Sequence, residues 1–182
     1  MRKTDARIRY TQSVLKQALL SFLQEKPINK ITVKEVCERA ELNRATFYAH
    51  YSDCFALLES IEEDLLEAFQ QSLKLVDSFD VTALIEAIYT MIEQQQEACR
   101  VLIFQNVCPN VLRRMISLAR DESISYWKRR LHHITDAELE MLYTHLSNGL
   151  MHVVVEGYEK YSREEVVRFV NRIVQCSLSQ FQ

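Results

Sequence analysis

The sequence predicts an all-α protein in which a small three-helix N-terminal domain is joined by a long helix to a larger helical C-terminal domain. Only two glycines and two prolines occur among the 182 residues, whereas turn-rich β architectures need many of both. Apolar residues recur at three- and four-residue steps through most of the chain, which is the period of amphipathic helices. They make up 48% of the chain, so a sizeable core can form.

Charge is distributed unevenly along the chain. Residues 1–52 contain ten Lys or Arg and five Asp or Glu, a net charge of +5, whereas residues 53–182 contain twelve and twenty, a net charge of −8. A basic head on an acidic body is typical of a phosphate-binding module joined to a body that does not bind nucleic acid. The alternative is a solvated helical surface with a chance asymmetry. We place the domain boundary at residues 52 and 53, with residues 53–76 as a connecting helix.

Several classes of protein are disfavoured by the sequence. The five cysteines are odd in number and scattered, which favours a reduced, cytoplasmic setting over a disulfide framework. No apolar run approaches the roughly 20 residues of a membrane helix, and the basic N-terminus lacks the apolar stretch of a secretory signal. The chain lacks a Gly-rich phosphate loop, a nucleophile elbow and the paired spacing of a zinc site, His132 and His133 included. We therefore expect no enzyme activity, no metal and no cofactor.

The first helix is predicted over residues 4–24. Its apolar stripe includes Ile8, Leu15 and Leu19, and it ends before Pro27, which disfavours helix at the residue that precedes it. Four cations lie near its start, where they oppose the helix dipole. They either contact phosphate or belong to a solvated terminus: Arg2, Lys3, Arg7 and Arg9.

Two short helices around a tight turn are predicted over residues 32–51. Thr32 and Glu35 have the spacing of a capping box at the start of the first helix. The second helix begins at Asn43 or Arg44, after a turn formed by residues 41–43. Two short helices joined in this way are the helix-turn-helix motif, whose second helix lies in the DNA major groove.

The remaining helices are bounded by residues that commonly cap helices. They are predicted over residues 53–76 after Ser52-Asp53, 81–96 after a break with Asp80 as its cap, 110–132 after Asn110, 137–161 after Thr135 or Asp136, and 163–181 after Ser162, with a short apolar piece at 100–107.

The last two predicted helices have apolar residues on more than one face, and both glycines lie inside the first of them. A glycine in a helix interior costs about 1 kcal/mol relative to alanine, and close approach of another backbone explains its presence. We predict that these helices pair with those of a second copy in a four-helix interface. The alternative is a monomeric bundle. The expected interface consists of Leu146, Gly149, Leu150, Val153, Gly157, Val166, Val170, Ile173 and Val174.

Aromatic, methionine, histidine and cysteine side chains of the body are candidates for a ligand pocket. For each of them, ordinary core packing is the alternative interpretation. The candidates are Tyr89, Cys99, Phe104, Met115, Trp127, His132, His133, Met141 and His145.

The segment ITVKEVCERAELNRATFYAHYSDCFALL resembles the N-terminal module of the TetR (tetracycline-repressor) family of bacterial transcriptional regulators. The match extends over about residues 8–58. It rests on a helix that begins with threonine, the run Ala-Thr-Phe-Tyr-Ala-His-Tyr, and a helix that opens at Ser-Asp and leads into Leu-Leu. The rest of the chain fits in length and helical character, and weakly resembles the branch that regulates dihydroxyacetone-kinase operons.

The resemblance implies a homodimer that binds a palindromic operator in double-stranded DNA and acts as a repressor, modulated by a small-molecule or protein effector in the body. It assigns Asn43, Arg44, Ala45, Thr46, Tyr48 and His50 to the DNA-facing surface. Arg44 suits bidentate contact with guanine. Thr32 and Lys34, at the start of the preceding helix, suit a phosphate. The operator sequence and the effector's identity remain open.

Two residues depart from the family pattern. Glu41 occupies the turn where the family often has glycine, and a non-glycine residue adopts the left-handed conformation at some cost. Cys54 stands where the family often has lysine, which removes one phosphate contact. Both departures leave room for an alternative function, a protein-binding adaptor or co-regulator with a weakened DNA-binding head.

Overall fold

The computed structural model describes residues 3–74, 81–105 and 107–181. No strand occurs in these residues, and the all-α fold class is confirmed. The helices are α1 (Lys3–Leu23), α2 (Val33–Arg39), α3 (Arg44–Tyr48), α4 (Cys54–Lys74), α5 (Val81–Gln94), α6 (Gln96–Ala98), α7 (Pro109–Lys128), α8 (Asp136–Gly157) and α9 (Arg163–Leu178). Two 3₁₀ turns occur at Ile28–Lys30 and Ser179–Phe181, and a π-helical segment at Cys99–Phe104.

The chain divides into two compact units, which we call the N-terminal unit and the C-terminal unit. The N-terminal unit comprises Met1–Leu65 and Glu97–Val107, and the C-terminal unit comprises Leu66–Gln96 and Cys108–Gln182. The division falls inside α4, because the first part of this helix packs with the N-terminal unit. The predicted functional boundary at residue 52 stays a prediction.

The N-terminal unit is held by a small apolar core and by ion pairs between its helices. α1 packs on α2 and α2 on α3. The guanidinium of Arg39 lies 3.6 Å from the ring centroid of Phe22 and 3.2 Å from a carboxylate oxygen of Glu25. Together these contacts attach the end of α2 to α1. The side chains with no exposed surface in this core include Leu15, Leu19, Val36, Phe47 and Leu57.

In the C-terminal unit, α7 packs on α8, and α9 packs on α5 and α8. At Gly157 a Cβ would lie 3.3 Å from Val166 Cγ2 and 3.3 Å from Tyr161 Cδ2. Close approach thus occurs at this glycine, and α9 of the same chain makes it. At Gly149, by contrast, no heavy atom lies within 4 Å of the added Cβ.

Most predicted helix starts are confirmed. Thr32, Thr135 and Ser162 each form a capping box with a glutamate three residues later. Asp53 Oδ1 accepts a hydrogen bond of 2.8 Å from the Ala56 N–H at the start of α4. Local sequence therefore determines where these helices begin, because each cap satisfies backbone donors that the helix itself leaves unpaired.

The predicted bounds of α7 were wrong at both ends. Asn110 is not the cap: Cys108 precedes the helix and Pro109 is its first residue, where its missing N–H costs nothing. The helix ends at Lys128 rather than near residue 132, because the N–H groups of Arg130 and Leu131 turn back to the carbonyl of Trp127. The predicted break at residues 77–80, with Asp80 as a cap, lies outside the described residues.

Candidate functional site

The helix-turn-helix is built by reciprocal hydrogen bonds at the starts of its two helices. The Glu35 N–H donates to Thr32 Oγ1 at 3.3 Å, and the Thr32 N–H donates to Glu35 Oε2 at 2.9 Å. Asn43 Oδ1 accepts from both the backbone N–H of Thr46, at 2.7 Å, and its hydroxyl, at 2.9 Å. The start of α3 is therefore specified by Asn43, one of the two residues predicted for it.

The turn between α2 and α3 has a strained residue at its centre. Glu41 has a φ of 54°, in the left-handed region that favours glycine. Its N–H donates to the carbonyl of Glu38, and the N–H of Leu42 donates to the carbonyl of Cys37 at 2.9 Å. These two bonds form a Schellman motif, in which glycine usually occupies the left-handed position. The predicted strain at Glu41 is confirmed.

The α3 surface presents polar side chains outward and apolar ones inward. Phe47 is fully buried, whereas Arg44 and Ala45 are exposed and Tyr48 keeps 57% of its surface accessible. The rings of Phe47 and Tyr48 meet edge to face at 5.6 Å, which anchors the base of the tyrosine side chain. In the described part of the chain, Arg44 makes no hydrogen bond or ion pair, so its guanidinium is available to a ligand.

The remaining predicted DNA-facing residues lie on the same motif. Thr32, Asn43 and Lys34 are exposed, while Thr46 and His50 are half-buried. Lys34 lies 3.7 Å from Glu38 in an exposed pair one helical turn away, a contact of little energy that phosphate can replace.

Glu35 is electrostatically fixed within the motif. Lys26 Nζ lies 2.6 Å from Glu35 Oε1. Hydrogen bonds from Lys26 and from the Thr32 side chain and backbone lower the pKa of Glu35 to about 2 from 4.5. The carboxylate is therefore ionised throughout the physiological range and is occupied inside the capping box.

Cys54 is the second departure from the family pattern, and the structure buries its side chain. Burial raises the pKa of the Cys54 thiol to about 11, and the neighbouring Asp53 carboxylate adds to the effect. The group is therefore a neutral thiol that packs in the core and supplies no charge to a phosphate.

A cavity of about 50 Å³ lies inside the C-terminal unit, among α5, α7 and α8. Two of the predicted pocket residues, Met115 and Trp127, line it. The others lie elsewhere. Tyr89 and Cys99 are buried and Phe104 is half-buried, whereas the exposed members are His132, His133, Met141 and His145.

Sequence reasoning missed several residues that line the cavity, among them Ser123, Tyr143 and Ser147. Ser123 was missed because a serine in a helix is usually a surface residue. A signal was present nonetheless: Ala119, Ser123 and Trp127 follow each other at four-residue steps and therefore share one face of α7.

The predicted dimer residues fall into two groups. Val166, Val170 and Val174 are buried within one chain, together with Leu146 and Gly157, so their assignment to an interface is corrected: they belong to the core of the C-terminal unit. The reason is that α8 and α9 pack against each other along this stripe. The residues that remain accessible are Gly149, Leu150, Val153 and Ile173.

Two further classes of feature were searched in the described residues. None of the groups of three or more His, Cys, Asp or Glu there is placed to hold a metal ion. None of the helices there combines the length and apolar character that crossing a membrane requires.

Comparisons with known proteins point to transcriptional regulators. No protein-family model matches the chain. The uncharacterised HTH-type transcriptional regulator YxbF of Bacillus subtilis (strain 168) is 36% identical over 62 residues, which are 34% of this chain and 16% of that protein. The match thus spans only a small part of the relative's length.

Solved structures match nearly the whole chain. A TetR transcriptional regulator from Streptococcus agalactiae 2603V superposes with a TM-score of 0.67 at 23% identity, over 94% of this chain and 97% of that one. The dihydroxyacetone kinase operon activator DhaS superposes with a TM-score of 0.65 at 15% identity, over 94% of this chain and 98% of that one. The resemblance to TetR-type regulators is confirmed at the level of the fold.

Proposed function

We propose that this chain is a cytoplasmic transcriptional regulator of the TetR family, which binds a palindromic DNA operator as a homodimer through α3. The observation that supports it most directly is the exposed face of α3. Arg44 and Tyr48 are directed away from a fully buried Phe47 on a motif whose two helix starts are both capped. An unpaired guanidinium at this position suits bidentate contact with guanine O6 and N7 in the major groove.

The roles of Arg44 and Lys34 can be separated by experiment. Arg44→Ala should weaken operator binding by about 1–3 kcal/mol and relax the sequence preference, because a base contact is lost. Lys34→Ala should weaken all sequences similarly and reduce the slope of log K against log salt, because a phosphate contact is lost. Fluorescence anisotropy with labelled DNA from upstream of the coding sequence measures both.

Arg129→Ala is the matched control, since Arg129 is exposed in the C-terminal unit. If both head variants bind like the parent and like Arg129→Ala, α3 does not enter the groove. A parent protein that binds no DNA at all would favour the protein-binding adaptor. Reporter expression with and without the gene then decides between a repressor and an activator.

Dimerisation is proposed to occur through the accessible face of α8 and α9. Gly149 leaves open space on this face, and Ile173 and Phe169 keep 43% and 44% of their surfaces exposed. A second backbone at Gly149 would explain a glycine that nothing in the chain itself requires. Two-fold pairing would also place two copies of α3 for half-sites about 34 Å apart.

Ile173→Glu tests this interface in sedimentation equilibrium. It should shift the protein from dimer to monomer, because it buries an unpaired charge at the contact. Leu118→Glu, which changes an equally exposed apolar residue on α7, should leave the dimer intact. Equal dimerisation of both variants would place the contact elsewhere.

A further inference from the structure

The cavity in the C-terminal unit has walls that accept only an uncharged ligand. Its surface is formed mainly by apolar side chains of α5, α7 and α8, such as Ile85, Ile88, Met115 and Val154. Among the described residues, no charged side chain lines it. A carboxylate or an ammonium group placed there would lose its hydration without gaining a compensating charge.

One hydroxyl group of the wall has no hydrogen-bond partner. Ser123 is fully buried, and within the described residues nothing accepts from or donates to its Oγ. A serine inside a helix ordinarily donates to the carbonyl four residues earlier, as buried Ser72 does to Ala68 at 3.0 Å. The Ser123 hydroxyl is therefore a buried donor and acceptor that a ligand can satisfy.

The other two hydroxyl groups of the wall already donate within the chain. Tyr143 donates to the carbonyl of Ile116 at 2.6 Å, and Ser147 donates to that of Thr144 at 3.5 Å. Burial raises the pKa of Tyr143 to about 12, so its hydroxyl is neutral at physiological pH. Ser123 is thus the position at which a polar group of a ligand gains a partner.

The cavity's size and polarity favour a small organic molecule over water. At about 50 Å³, it exceeds the ~10–15 Å³ that a water molecule needs, and it is smaller than the ~150 Å³ cavity that binds benzene. A buried water requires about two to four polar partners, which this wall does not supply. Met115 and Met151 add adaptability, because the unbranched methionine side chain changes shape at low cost.

We propose that this cavity binds a small, neutral, largely apolar molecule with one hydroxyl group, and that this molecule is the effector of the regulator. Its hydroxyl pairs with Ser123 while its hydrocarbon part fills the space beside Trp127. The effector role rests on the proposed regulatory function, whereas the ligand class rests on the cavity alone.

Trp127 provides a direct measurement, because it lines the cavity and is the only tryptophan in the chain. Titration of the full-length protein with 1-propanol should change its fluorescence saturably. Propanoate, which has a similar size and carries a charge, should bind at least about 100-fold more weakly, because the wall offers no counter-charge. Failure of 1-propanol to saturate, or equal binding of the two probes, would overturn the ligand class.

Two variants place the ligand in the cavity. Ser123→Ala should weaken 1-propanol binding about 3- to 10-fold through loss of one hydrogen bond, and Ala119→Leu should abolish it by filling the space. Ser125→Ala, on an exposed part of the same helix, is the matched control. Equal affinities of the Ser123 and Ser125 variants would exclude Ser123 as the polar partner and contradict the proposal.

Anisotropy with operator DNA on the same samples separates this inference from the proposed function. A change in operator affinity that follows saturation of Trp127 and disappears in Ala119→Leu supports the effector role. Unchanged operator binding at saturation overturns the effector role while DNA binding stands. Saturable 1-propanol binding without any operator binding overturns the proposed function and leaves the ligand class in place.

Discussion

The N-terminal and C-terminal units organise their helices by different means. α2 and α3 contain seven and five residues, and each begins at a side chain that accepts a backbone hydrogen bond. α8 and α9 contain 22 and 16 residues, and burial along their shared stripe decides which side chains are available. Where helices are short, local chemistry positions the functional surface. Where they are long, packing selects it.

The largest expected effect tests whether the N-terminal unit nevertheless depends on its core. Phe47→Ala should destabilise the protein by about 3–5 kcal/mol, because it removes a fully buried aromatic ring. Phe55→Ala, at a position with 56% exposure, should change stability by less than about 0.5 kcal/mol. Urea unfolding measures both. Equal effects would show that capping, rather than burial, stabilises this unit.

A smaller effect of opposite sign is expected in the turn. Glu41→Gly should raise the free energy of unfolding by about 0.5–1 kcal/mol, because the left-handed conformation no longer strains a side chain. It should also strengthen operator binding, since an acidic group near the DNA is removed. Thermal unfolding and DNA anisotropy are the measurements.

Ala40→Gly is the control for that substitution. Ala40 has a φ of −81°, in the region that alanine favours, so the added flexibility should destabilise the protein. If both glycine variants shift stability in the same direction, the strain at Glu41 does not contribute measurably.

The smallest expected effect is a dependence on pH. The pKa of Glu35 is lowered in the fold from 4.5 to about 2, by hydrogen bonds from Lys26 and Thr32. The stability that this provides is complete above the unfolded pKa and is lost as the pH falls from about 4.5 towards 2. Glu35→Gln should therefore be less stable than the parent at pH 6, and the difference should shrink in that acidic window.

Glu63→Gln controls for the loss of a charge, because Glu63 is exposed on α4. Denaturant unfolding at a series of pH values measures both variants. A constant difference between Glu35→Gln and the parent from pH 6 to pH 2 would show that the capping box does not depend on ionisation.

Agreement between sequence and structure is closest where a few neighbouring residues decide the outcome. Asn43, Thr135 and Ser162 were identified as possible helix starts from their side chains alone, and each accepts the expected backbone hydrogen bond. Asn110 failed because Pro109 also starts helices, and the first position suits proline. Two competing local signals cannot be ranked without the path of the chain that precedes them.

The sequence by itself determined the helical class, the capped helix-turn-helix and the strained turn at Glu41, because these depend on composition and on contacts within a few residues. Tertiary structure alone decided that Val166, Val170 and Val174 face the chain's own core while Gly149 and Ile173 stay accessible. It alone left Ser123 unpaired beside a cavity. The reason is physical: an apolar stripe specifies that a face is buried, but what covers it depends on the crossing of helices distant in sequence.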